Sequence, residues 1–340
     1  MVPEPLVGAI LLLTVVLAYV NGFHDASNAV STTITTGTLR ERTALGMAAL
    51  LNLLGALLGM GLVTMSGAWA FSKIPLGGLA DDGGSPPHLV LWVLLAAVAT
   101  TVLWDLATWW RGMPSSSWHA LYGAIGGASL VLGWHADWSA FLGDALMPTA
   151  FVPLLGALAA YLLMHGITRL LAKDRLVSGH VRFAQTVSAG AVATAHGLQD
   201  VLIPMAVVVA VSATAPVPPA MLAAAPFVIA LALATGTYMG GHRIIRTLGT
   251  RLTDLSSPQG FAAEASTAAL MGVVTLGFGM PVSSSHAIAA GVMGAGLARG
   301  RRALRLPVVW SILVTWIATP VACLLLGMTI ARLAQTLLGA

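Results

Sequence analysis

The chain of 340 residues carries very little charge. Asp, Glu, Lys and Arg together make up 8% of it, against about 25% in a soluble domain. So few charges cannot cover a water-facing surface. With 57% hydrophobic residues and a mean hydropathy of +0.88, the chain reads as an integral membrane protein. Its one cysteine, Cys323, sits in an apolar run, which excludes a disulfide framework and a thiolate zinc site. HExxH, GxSxG and a cysteine–histidine pair are all missing, so nothing points to an enzyme. The 37 Gly and 17 Pro are scattered without a period, which excludes collagen and low-complexity chains. The Met1 region carries Glu4 and no Lys or Arg ahead of its apolar run, so it is not a typical cleavable signal.

The charges that exist are placed by rule. All basic residues but Lys73 and Arg332 fall in five short segments: Arg40 and Arg42; Arg111; Arg169, Lys173, Arg175 and Arg182; Arg243, Arg246 and Arg251; Arg299, Arg301, Arg302 and Arg305. The net charge of +4 therefore reflects membrane orientation and not a nucleic-acid partner. A span needs roughly 20 apolar residues. Ten such stretches are expected, at about 5–38, 43–68, 88–110, 113–134, 146–170, 183–212, 217–240, 260–279, 281–298 and 307–331. The linkers between them hold turn residues, such as Gly77-Gly78 with Asp81 and Asp82. With Met1 outside, every basic segment falls on the cytoplasmic side. The first five spans then run in the opposite sense to the second five. Two inverted five-span repeats follow, at 1–170 and 183–340, joined by a basic cytoplasmic linker at 171–182. The expected fold is all-α, in a multi-pass protein of a cell membrane, with lipid around it.

Two stretches are too long for one crossing. Residues 5–38 as a helix would measure ~50 Å, against a hydrocarbon core of ~30 Å. Residues 183–212 share the excess. Each holds a polar interruption, Asn21-Gly22-Phe23-His24-Asp25-Ala26-Ser27-Asn28 and Ala195-His196-Gly197-Leu198-Gln199-Asp200. Unwound backbone at membrane depth survives only where it is buried or lines a cavity. The paired interruptions predict two broken helices meeting at a midplane site. Each places an Asp three residues after a Gly. A carboxylate there is costly unless paired or coordinated, and hard cations take oxygens of the kind that Asp25, Asn28 and freed carbonyls near Gly22 offer. Capping of broken helices explains one such Asp but not the duplication.

A second pair is Gly112-Met113-Pro114-Ser115-Ser116-Ser117-Trp118-His119 and Gly279-Met280-Pro281-Val282-Ser283-Ser284-Ser285-His286. Pro with Ser behind it starts a helix, and a helix start offers free N–H groups to an anion. Two such starts, one per half, can converge on a single tetrahedral oxyanion. His119 and His286, one turn in, are placed to hydrogen-bond across the halves or to carry protons. His24 and His196 flank the interruptions as local hydrogen-bonding groups. Glu264 and Asp105 are further acids in apolar surroundings and so are candidates for transport roles. Gly55 and Gly59 form a GxxxG for helix packing. Trp69, Trp109, Trp110 and Trp134 read as interfacial anchors.

These motifs, with Gly241-His242-Arg243 to Gly249 and Gly260-Phe261-Ala262-Ala263-Glu264, resemble the inorganic phosphate transporter (PiT) family over nearly the whole chain. The resemblance implies symport of phosphate with sodium or protons and no other cofactor. It implies that Ser116, Ser117, Ser283 and Ser284, with Asn28, contact phosphate. Asp25, Asn28, Asp200 and Glu264 are the expected coupling residues, with Asp25 and Asn28 as sodium ligands. The chain departs from the family pattern at His24 and Gln199, where the family has Asn, and at Asn52, where it has Glu. Ile203 replaces the second Asn and Trp118 a small hydroxyl residue, so the Asp200 half lacks an amide ligand. A sulfate permease of the same architecture and a transport-incompetent sensor or scaffold are the alternatives. The sequence is silent on oligomeric state, and a homodimer through scaffold helices is one arrangement open to it.

Overall fold

The computed structural model describes residues 4–66, 87–134, 147–173, 177–277 and 282–338. The linker glycines and acids at 77–82, Lys73, Trp69, Arg175 and the Gly279-Met280-Pro281 triplet lie outside the described residues. Among the described residues the chain is helical, with a lone bridge between Thr253 and Leu304.

Twelve α-helices follow in order: α1 Glu4–Thr35, α2 Glu41–Ser66, α3 Pro87–Arg111, α4 Ser117–Leu132, α5 Met147–Leu171, α6 Ser178–Asp200, α7 Leu202–Thr214, α8 Pro219–Met239, α9 His242–Arg246, α10 Ser257–Gly272, α11 Ser284–Leu297 and α12 Leu306–Leu338. Widened π turns extend α9 over Thr247–Arg251 and α10 over Val273–Gly277. Among the described residues, eight helical stretches are long and apolar enough to cross a membrane, α6 and α7 counting as one. This is a multi-pass membrane protein. The expected crossings at 113–134 and 281–298 are instead the short helices α4 and α11, of 16 and 14 residues. At ~24 and ~21 Å they fall short of a ~30 Å core. Ser116 and Ser283 set their starts, each side chain accepting the N–H three residues on. Both helices are buried almost throughout.

The expected unwinding at Asn21–Asn28 does not occur, and α1 is continuous through it. The polar side chains there find partners on other helices, so the backbone has no reason to open. Gly22 allows close packing: a Cβ there would lie 2.0 Å from the Leu233 carbonyl oxygen of α8. The second stretch is interrupted only at Val201, between α6 and α7, and Val201 itself keeps right-handed helical angles. The cause is Pro204, which has no N–H for the Asp200 carbonyl. The disturbance thus falls after Asp200 and not at Gly197.

Helix contacts repeat when the halves are exchanged. α1 packs on α8 and α3; α6 packs on α2 and α10. α4 lies on α12 and α3; α11 lies on α5 and α10. Small residues permit these approaches. The expected Gly55 and Gly59 seat α2 on the Thr194 and Leu198 carbonyls of α6, and Gly236 and Gly240 seat α8 on those of Tyr19 and Phe23 of α1. Large apolar side chains such as Leu154, Leu158, Trp310 and Ile317 line the outer faces of α5 and α12. That is the pattern of a lipid-facing surface. Of the expected tryptophan anchors, Trp110 is exposed, whereas Trp134 is buried and Trp109 packs on Phe23 with ring centroids 4.7 Å apart.

Candidate functional site

The site forms where α1, α6 and α11 meet. Asp25 and Asp200 are 4% and 3% exposed, and one oxygen of each lies within 4.8 Å of the other and of a His196 ring nitrogen. The two acids thus meet as their duplicated setting predicts, on intact helical turns and not on unwound backbone. Each is held by a different set. Asp25 Oδ1 lies 2.5 Å from His24 Nδ1 and accepts the Ser285 hydroxyl at 3.1 Å. Its Oδ2 accepts the Ser284 hydroxyl at 3.4 Å. The Asn28 amide donates to Ser284 and Ser285 at 3.1 and 2.9 Å. Asp200 Oδ2 accepts from the Asn21 amide at 3.1 Å and lies 3.0 Å from His196 Nδ1.

α11 therefore begins against Asp25, and α4 begins against another acid. Ser117 donates to Asp105 Oδ2 at 2.8 Å, and Asp105 is fully buried. Ser115 and Thr108 share a hydrogen bond of 2.8 Å and both reach His24 Nε2, at 3.3 and 3.1 Å. His24 so links Asp25 to the turn that opens α4. The two helix starts are also joined at His119 and His286, whose ring centroids are 4.9 Å apart. The rings are tilted 33° to one another, and no hydrogen bond joins them, contrary to the expected pairing. Trp316 also packs on His286, with ring centroids 4.2 Å apart.

Of the expected site residues, Asp25, Asn28, Ser284 and Asp200 come together. Ser116 and Ser283 point their hydroxyl oxygens back at their own helices as caps. Ser117 faces Asp105. Glu264 is fully buried on α10 and accepts from Ser188 at 3.0 Å and from Thr32, which lies one helical turn beyond Asn28 on α1, so it stands apart from the acid pair. Sequence reasoning missed Asn21, Ser285 and Thr108. Asn21 lies inside the first polar interruption and Ser285 inside the second Pro–serine motif, which is the signal for each; Thr108 carries none beyond a hydroxyl. Ile203 is fully buried in apolar packing with α7 neighbours such as Val207 and offers the site no oxygen.

The donor set could hold a cation: two carboxylates and an imidazole converge, with an amide and two hydroxyls around them. Two helix starts bearing hydroxyls stand beside it. Apolar helices enclosing buried acids and paired helix starts make a membrane transporter. The chain matches the model of the phosphate transporter family over residues 21–178 and 169–327, and it belongs to that family. A Mycobacterium tuberculosis protein named as a low-affinity inorganic phosphate transporter is 36% identical over 326 residues, covering 91% of this chain and 74% of that one. A Rhizobium meliloti protein of the same name is 30% identical over 336 residues, covering 94% of each. A solved structure described as the sodium-dependent phosphate transporter shares the fold at a TM-score of 0.80 with 18% identity, covering 98% of this chain and all of that one. The chain is a transporter and not an enzyme.

Proposed function

We propose that this protein moves inorganic phosphate across a cell membrane by symport with a cation, sodium or proton. Two inverted halves, with the chain start outside and the basic segments cytoplasmic, build the site between them. The exchange symmetry of the helix contacts and the one-sided basic residues support that topology.

One observation carries the coupling. Ser284 and Ser285 donate their hydroxyl hydrogens to Asp25, so those hydrogens are spoken for while the carboxylate is bare. A cation held by Asp25 competes for the same oxygen lone pairs. The hydroxyls then turn to donate to an oxyanion at the start of α11, where the free N–H groups already favour negative charge. Binding either ion thereby improves the site for the other, and linkage makes the effect reciprocal. Asp25 and Asn28 hold the cation and orient the serines. Ser117 and the α4 start meet the phosphate from the other half. Ser116 and Ser283 contribute as caps that fix those starts.

Uptake of radiolabelled phosphate into proteoliposomes tests this directly. Accumulation driven by a sodium or proton gradient, and competed by unlabelled phosphate more strongly than by sulfate, is expected. No uptake under either gradient overturns the transport reading and favours a sensor or scaffold. Stronger competition by sulfate moves the substrate to that anion.

A further inference from the structure

The corner between α8 and α9 presses on the site helix. Gly240 sits so close to α1 that a Cβ would lie 2.1 Å from the Phe23 carbonyl oxygen. Gly241, at φ +88°, faces Ala26 and the backbone of Ser27; only glycine adopts that angle without strain. The two residues that follow tie this corner to the first half. His242 Nδ1 lies 2.6 Å from Glu41 at the start of α2. Arg243 covers the Trp109 ring, 5.4 Å from its centroid, and donates to the Trp110 carbonyl at 2.9 Å.

Trp109 and Trp110 end α3 and lead straight into Gly112–Ser117, the turn that opens α4. Gly112 itself packs on the Arg243 carbonyl, 3.0 Å from where a Cβ would stand. Arg243 is exposed, Trp109 beneath it half-buried, and Phe23 beneath Trp109 half-buried. His24 and Asp25 come next along α1. An exposed guanidinium thus heads a stack that leads inward to a buried site. A guanidinium can cover a ring and donate to a carbonyl at once, whereas an ammonium, a point charge without a planar fork, does less of both.

We propose that Arg243 is a latch: it clasps the end of α3 to the α8–α9 corner and keeps the site closed towards the face that carries Arg111 and Arg243. The mechanism rests on the phosphate symport reading for what passes the site, but the closure itself does not. An alternating transporter needs such a tie to be breakable, and one exposed side chain spanning two halves meets that need.

The test uses the full chain in proteoliposomes with Ser27→Cys as a reporter. Ser27 is fully buried below Gly241, and the native Cys323 is also buried. A membrane-impermeant methanethiosulfonate reagent is applied from each side in turn. In Ser27→Cys/Arg243→Ala, labelling from the Arg243 face should rise about tenfold, as expected when loss of a tie shifts the closed–open balance by one order of magnitude. Net phosphate uptake should fall while phosphate affinity in detergent stays unchanged. Arg243→Lys should give intermediate labelling, which guards against a variant that merely misfolds. Unchanged labelling in Arg243→Ala overturns the latch. So does a monodisperse variant that loses phosphate affinity and uptake together, since Arg243 would then act on the site itself. A wild-type protein that binds no phosphate removes the transport reading, and the labelling still decides the latch.

Discussion

Asp25 and Asp200 occupy matching places in a duplicated motif, yet their surroundings have diverged. Asp25 touches His24, Ser284 and Ser285, with Asn28 bracing both serines. Asp200 has Asn21 and His196 on one side, and the next turn brings Pro204 and the apolar Ile203. One half has kept a polar ligand set that reaches a helix start. The other has spent the same turn on packing. Duplication therefore supplies the convergence of the two acids, whereas the hydrogen-bond network that reaches a helix start belongs to the half whose next turn stayed polar.

The sharpest way to break this comparison is Asp25→Asn. An amide there lacks the charge proposed to hold a cation and replaces one of the two oxygens that accept from Ser284 and Ser285 with a donor. Coupled uptake should fall about 100-fold or more, because removing one partner from a buried charged network costs about 3–5 kcal/mol. Expression and monodispersity should survive, and uptake in proteoliposomes measures the loss. Normal uptake under a cation gradient would remove Asp25 from the cation site.

Next comes the contrast between a serine that faces the acid and one that only caps. Ser284→Ala should raise the apparent Km for phosphate about 10- to 100-fold, as a hydrogen bond to a charged group is worth roughly 1.5–3 kcal/mol. Ser116→Ala should raise Km less and lower stability by ~1 kcal/mol, the usual cost of a lost helix cap. Uptake kinetics and thermal melts on the same preparations separate the two. Equal Km changes with equal stability losses would make both serines caps alone.

Much of this arrangement was legible in the sequence, for physical reasons. Polar residues in apolar stretches are costly, so Asp25, Asn28 and Asp200 stood out at once, and Pro before serines announced the starts of α4 and α11. What could not be read was how the cost is met. The partners of the polar residues in α1 lie on α3, α6 and α11, as far as 260 residues away in sequence. Without them an unwound helix looked like the only remedy; with them α1 stays intact. The Trp118 and Ser285 mismatch was visible, but not that Ser285 binds Asp25. Apolar length overstated the crossings at α4 and α11, because hydropathy cannot distinguish a helix surrounded by lipid from one surrounded by protein. Glu264 was visible as an intramembrane acid, yet its hydroxyl partners on α1 and α6 set it apart from the pair at the centre.

Asp200→Asn should do less harm than Asp25→Asn. It keeps a side chain that Asn21 can still approach and leaves the start of α11 untouched. A loss of about tenfold in cation-driven uptake is expected, near the low end for a hydrogen bond to a charged group. Flux against sodium concentration at fixed pH compares the two variants. Equal losses would restore two equivalent half-sites.

The smallest expected effect is the most specific to the comparison. Ile203→Asn returns an amide to the turn after Asp200, in the place that Asn28 holds after Asp25. If the difference between the halves lies in that one side chain, the variant should steepen the dependence of flux on sodium and lower the apparent sodium Km about twofold to threefold, a gain of less than 1 kcal/mol. The gain is small because Ile203 is fully buried among apolar neighbours, and an amide placed there costs about 1–3 kcal/mol unless it finds a partner. A cation between Asp200 and the new amide is the partner that would offset the cost. Stability should therefore drop without sodium and recover with it, and melting in sodium against choline reads that recovery apart from flux. Lower stability in both salts, with an unchanged sodium response, would show that the two halves differ by more than one ligand. The asymmetry would then belong to the helix interruption that Pro204 makes at Val201.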